Sequence, residues 1–108
     1  MRRIHELPTP ALVADGDVLE HNVRAMAEAL PGARLRPHVK AHKCTALAAA
    51  KQAAGHHTFT CASPREVGGM ARAGVGTDLL LANETVDLDR LRAMAELDVA
   101  VTLAVDSD

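Results

Sequence analysis

The amino-acid sequence predicts an α/β fold, parallel strands alternating with helices, of the kind that makes up the N-terminal part of a (β/α)8 barrel. Short β-prone runs start at Leu35, Thr58, Asp78 and Val99, about 20 to 23 residues apart. Alanine-rich stretches of helical composition fill the gaps, and glycine or proline marks most junctions. Strand, helix, strand in short order pairs the strands in parallel through crossovers. That alternation by itself fits an open doubly wound sheet as well as part of a barrel.

Each element has its own signal. An apolar run at 11–14 precedes a helix expected over 17–30, which Pro31-Gly32 ends. A strand is expected over 35–40, then a helix closed by Gly55, then a strand over 58–63. Ser63-Pro64-Arg65-Glu66 supplies a serine N-cap, a proline at the first helical position and a glutamate placed to complete a capping box. Gly74 stands where a helix end needs positive φ. Strands over 78–83 and 99–106 follow. A whole barrel takes about 250 residues, so 108 residues read as a fragment of one.

Composition excludes several classes of function. The net charge is −2 and Phe59 is the single aromatic residue, so neither a basic surface nor a stacking platform for nucleic acid is available. No apolar run reaches the roughly 18 residues of a membrane span. The opening Met1-Arg2-Arg3-Ile4 has no hydrophobic stretch behind it, as a secretory signal requires. Cys44 and Cys61 are therefore read as reduced thiols, and a cytoplasmic location is expected.

The stretch Leu35-Arg36-Pro37-His38-Val39-Lys40-Ala41-His42-Lys43 breaks the rules of a buried strand. Alternation sets Arg36, His38 and Lys40 on one face, and Pro37 removes a ladder donor. Three basic groups on a covered face need anionic or hydrogen-bonding partners. Later strands repeat the pattern: Thr58, Thr60 and Ala62 alternate with Phe59 and Cys61, and Thr102, Ala104 and Asp106 with Val101, Leu103 and Val105. Together they describe a polar interior opposite an apolar, helix-facing layer. Lys40 falls at the carboxyl end of its strand, where α/β folds hold ligands. An amine there can form a Schiff base with an aldehyde cofactor, and positive charge nearby, from Arg36, His38 or Lys43, favours the neutral, nucleophilic form. A zinc site from His38, His42 and Cys44 is not assigned, because Pro37 and the extended segment break the helical spacing it needs. His56-His57 reads as a solvated turn or a polar contact near a strand start.

The octapeptide Arg36-Pro37-His38-Val39-Lys40-Ala41-His42-Lys43 resembles the signature of the pyridoxal-phosphate enzymes called D-threonine aldolase and D-serine dehydratase. The opening Leu7-Pro8-Thr9-Pro10-Ala11-Leu12-Val13, the Asn22 helix and Thr60-Cys61-Ala62-Ser63 with Glu66 after it are similar to theirs as well. The resemblance implies an alanine-racemase-like barrel over 17–108, with 1–16 an opening strand belonging to a second, mostly β domain. It implies a lyase acting on D-β-hydroxy amino acids, a homodimer when full length, with Lys40 carrying pyridoxal 5'-phosphate. Arg36, His38, His42 and Thr60 are implied as lining of the cofactor site. The family's divalent-metal ligands and phosphate-binding loops lie downstream, so the isolated chain is expected to be inactive. Two other readings remain: a non-catalytic pyridoxal-phosphate carrier, which also uses a barrel-strand lysine, and an inert fragment.

Overall fold

A computed structural model describes residues 3–106. A 3-10 turn at Ile4–Glu6 leads to α1 (Gly16–Ala29), a second 3-10 turn at Gly32–Arg34, and α2 (Thr45–Ala53). Then come β1 (Thr58–Cys61), α3 (Pro64–Arg72), β2 (Asp78–Leu81), α4 (Leu88–Ala95) and β3 (Ala100–Leu103). The strands pair in parallel in the order β1-β2-β3. On the free side of β1 a single parallel bridge joins His38 to Thr60. Spatial order therefore follows chain order, without the reversal a doubly wound sheet makes at its switch point. The arrangement is that of consecutive barrel strands.

The core lies between the sheet and its helices. Phe59, Cys61, Leu79 and Leu81 are fully buried, and with Val39 they pack against Ala48 of α2, Val67 and Met70 of α3, and Met94 of α4. The alternate strand residues Thr58, Thr60, Asp78 and Leu80 remain half-buried. One apolar face and one more polar face thus follow from the period-2 alternation. β3 is less covered, and Leu103 is 39% exposed. Helix α1 buries no residue fully; its apolar side rests beside α2 and the 35–38 segment, leaving cavities along both flanks.

Caps match the chemistry of their residues. Asp15 accepts from Val18 N–H at the start of α1, Ser63 from Glu66 N–H in α3, and Asp87 from Arg90 N–H in α4. Gly55 and Gly74, just past α2 and α3, take φ of 104° and 65°.

Two sequence expectations change. The strand expected over 35–40 is reduced to the one bridge: Val39 N–H donates to Thr60 O and Thr60 N–H to Pro37 O, each at 2.9 Å. Pro37 has no N–H to extend the ladder, and the chain turns after Val39, where His42 N–H and Lys43 N–H both donate to Val39 O. The capping box at α3 is half made, because the Glu66 carboxylate accepts from Ala62 N–H rather than Ser63 N–H. The apolar run 11–14 pairs with nothing among the described residues and leaves Leu12 99% exposed.

Candidate active site

Strand register stacks the polar face into layers. Thr58, Asp78 and Ala100 form the lowest; His38, Thr60, Leu80 and Thr102 form the next. Ala82 N–H donates to Cys61 O at 3.0 Å and Ala104 N–H to Leu81 O at 3.2 Å. The ladder thus runs one step past the strands and sets Ala62, Ala82 and Ala104 abreast at their carboxyl ends. Lys40, two residues beyond His38 and exposed, lies in the turn that follows the His38–Thr60 bridge.

Arg36 occupies the other end. Its Nη1 donates to Asp78 O and Oδ1 and its Nη2 to Oδ2 at 2.6 Å, a bidentate pair reaching past β1. Arg36 and Lys40 are about 13 Å apart at the usual rise of an extended chain. Arg36 is thus committed to Asp78 at the amino-terminal end of the face. Hydrogen bonding to Asp78 raises the Arg36 pKa, against the pull of its own burial. Asp78 is the anionic partner that the basic strand required. Its position at the first residue of a β-prone run was the available signal, and sequence reasoning passed over it.

His38 and Thr60 share the middle layer. His38 Nδ1 accepts from Lys40 N–H at 3.2 Å, so a neutral His38 ring holds its proton on Nε2. This contact ties the histidine to the turn that carries Lys40.

The turn is braced from the helix side. Lys43 adopts φ 47°, unusual for a residue with a side chain, and its amine pairs with Glu66. Burial pushes the Glu66 carboxyl up, but hydrogen bonds from Lys43 and Ala62 N–H and the charges of Lys43 and His38 outweigh it, and the net shift is downward. Two of the three cations expected to act on Lys40 are thus neutralised, Arg36 by Asp78 and Lys43 by Glu66. His42 lies on the helix side too: its Nδ1 accepts from Cys44 N–H at 3.1 Å and its Nε2 is 3.2 Å from Lys51 Nζ of α2. Burial is the main cause that lowers the His42 pKa, and the charge of Glu66 opposes it. His56 is buried rather than solvated, with Nδ1 3.2 Å from Gly32 O and Nε2 without a partner among the described residues; His57 is exposed. Among the described residues no three His, Cys, Asp or Glu side chains gather as metal ligands. No helix there is long and apolar enough to cross a membrane.

Comparison with known proteins agrees with this fold. The family model described as alanine racemase, N-terminal domain, matches residues 14–107. A D-threo-3-hydroxyaspartate dehydratase of Delftia sp. (strain HT23) is 41% identical over 78 residues, covering 70% of this chain and 20% of the relative. A 3-hydroxy-D-aspartate aldolase of Paracoccus denitrificans is 33% identical over 107 residues, covering 94% and 27%. The crystal structure of D-threonine aldolase from Filomicrobium marinum superposes with a TM-score of 0.87 at 34% identity, over 96% of this chain and 29% of that one. The chain spans about a fifth to a quarter of the length of the curated relatives it matches.

Proposed function

Because the chain belongs to the alanine racemase N-terminal domain family, we propose that it forms the lysine-bearing part of a pyridoxal-phosphate-dependent lyase acting on D-β-hydroxy amino acids. The observation that carries this reading is Lys40, exposed in the turn just past the His38–Thr60 bridge, on the carboxyl side of the strands. The relatives' names support the substrate class, since two are aldolases and one a dehydratase of D-hydroxy amino acids.

In this reading Lys40 supplies the amine that holds the cofactor, from the exposed turn just past the His38–Thr60 bridge. When bound there, pyridoxal phosphate supplies an electron sink for the bond broken at Cα. His38 anchors the Lys40 turn through its Nδ1 and keeps a proton on Nε2, a donor at the level of the Thr60 hydroxyl. Arg36 and Asp78 neutralise each other at the amino-terminal end of the face. Glu66 holds the turn through Lys43 and Ala62 N–H. Phosphate and divalent-metal ligands, the second domain that would take up 1–16 as a strand, and a homodimer partner belong to the reading of the whole protein.

The lysine assignment is tested by incubating the chain with pyridoxal phosphate, reducing with borohydride and mapping the modified peptide. A label on Lys40, absent from Lys40→Ala, is the expected result; a label on Lys43 with Lys40 untouched overturns it. For the whole protein, D-threonine split to glycine and an aldehyde marks an aldolase, and a 2-oxo acid with ammonia marks a dehydratase. Neither product from any D-β-hydroxy amino acid refutes the lyase.

A further inference from the structure

A second lysine sits on the opposite side of the sheet, in a contact whose geometry favours the amine over the ammonium. A backbone N–H only donates, so Cys44 N–H, 3.1 Å from His42 Nδ1, obliges that nitrogen to accept. A neutral His42 ring then carries its hydrogen on Nε2, directed at Lys51 Nζ 3.2 Å away. An ammonium there would set donor against donor. The contact is satisfied when Lys51 is an amine whose lone pair accepts. Lys51 is only partly exposed and has no carboxylate partner among the described salt bridges. Burial acts the same way, lowering the Lys51 pKa from its ordinary value, and the remaining titratable groups close by are His42, with Glu66 behind it, and the cavity histidines His38 and His56.

Lys51 also lines a cavity of about 310 Å³ beneath α1, whose walls include Leu19, Val23, Met26, Leu35 and Pro37. A neutral amine at the margin of an apolar cavity is a nucleophile for carbonyl compounds that fit there. We propose that Lys51 is a second carbonyl-reactive site, which takes up small apolar aldehydes as an imine. The Nζ lone pair adds to the carbonyl carbon, both amine hydrogens pass in turn to the former carbonyl oxygen, and loss of that oxygen as water leaves the C=N bond. No oxidant or reductant takes part. The argument is independent of Lys40, although a lyase that splits off aldehydes would bring this class of compound to the protein.

The test is reductive labelling of the whole chain with propanal and cyanoborohydride near pH 7, quantified peptide by peptide, native and in urea. Lys51 is expected to label several-fold faster than Lys43 in the native chain, and equally in urea. Parity in the native chain overturns the proposal. In a folded His42→Ala variant the advantage of Lys51 should fall several-fold; an undiminished advantage removes His42 from the account. Parallel labelling with pyridoxal phosphate separates the two sites. If Lys40 fails to take pyridoxal phosphate, the cofactor reading falls and Lys51 stands; if Lys51 shows no preference for propanal, only the present proposal falls.

Discussion

Arg36 clasps Asp78 with both guanidinium nitrogens from the far side of β1, joining the segment before β1 to the first residue of β2. The pair is intermolecular in no sense and local in none: it spans 42 residues of sequence. It converts what sequence reasoning treated as an electrostatic problem into a tie between neighbouring barrel units.

Acid should loosen that tie. The hydrogen bonds from Arg36 hold the Asp78 carboxyl below its ordinary value, against the upward push of burial. A carboxylate with a depressed folded-state pKa stabilises fully above its unfolded value, about 3.9, and loses that contribution as pH falls through the folded value. With 30% and 35% of the two side chains exposed, solvent screening keeps the contribution small. Asp78→Asn is expected to lower stability by about 1 kcal/mol at pH 7, read from urea unfolding, with the difference from the native chain shrinking below pH 4. An equal midpoint at pH 7 would contradict this.

Gly76 is a position where a methyl group has nowhere to go. Its φ is 86°, and a Cβ there would stand 2.9 Å from Leu79 Cδ2 and 3.0 Å from Phe59 Cδ2. Both neighbours are fully buried and cannot swing aside. Gly76→Ala should cost about 2 kcal/mol or more, whereas Gly74→Ala, with φ 65° but open space around it, should cost about 1 kcal/mol. Denaturation midpoints in the reverse order would show that the strain in φ, not the crowding, dominates.

The two cysteines should part company toward alkylating reagents. Cys61 is fully buried in β1, and burial, aided by the charge of Glu66, pushes its thiol up to about 11. A thiol that holds its proton at neutral pH is a poor nucleophile. Iodoacetamide at pH 7.5 should modify Cys44, which is partly exposed, and leave Cys61 intact until denaturant is added. Equal rates in the native chain would mean that the sheet opens readily.

Much of this was legible in the chain because it is local. Strand and helix periodicity, the Ser63 cap, the glycines after α2 and α3, and the alternation that separates Phe59 and Cys61 from Thr58 and Thr60 all depend on residues within a turn or two of each other. The basic octapeptide pointed to Lys40 for the same reason. Tertiary structure decided what depends on distance in sequence. It shortened the 35–40 strand to one bridge, committed Arg36 to Asp78 and Lys43 to Glu66, turned His42 toward Lys51, and set Ala62, Ala82 and Ala104 abreast. Alternation along a strand says which side a residue faces, but only the register between strands says which residues meet there, and register is a property of the packed sheet.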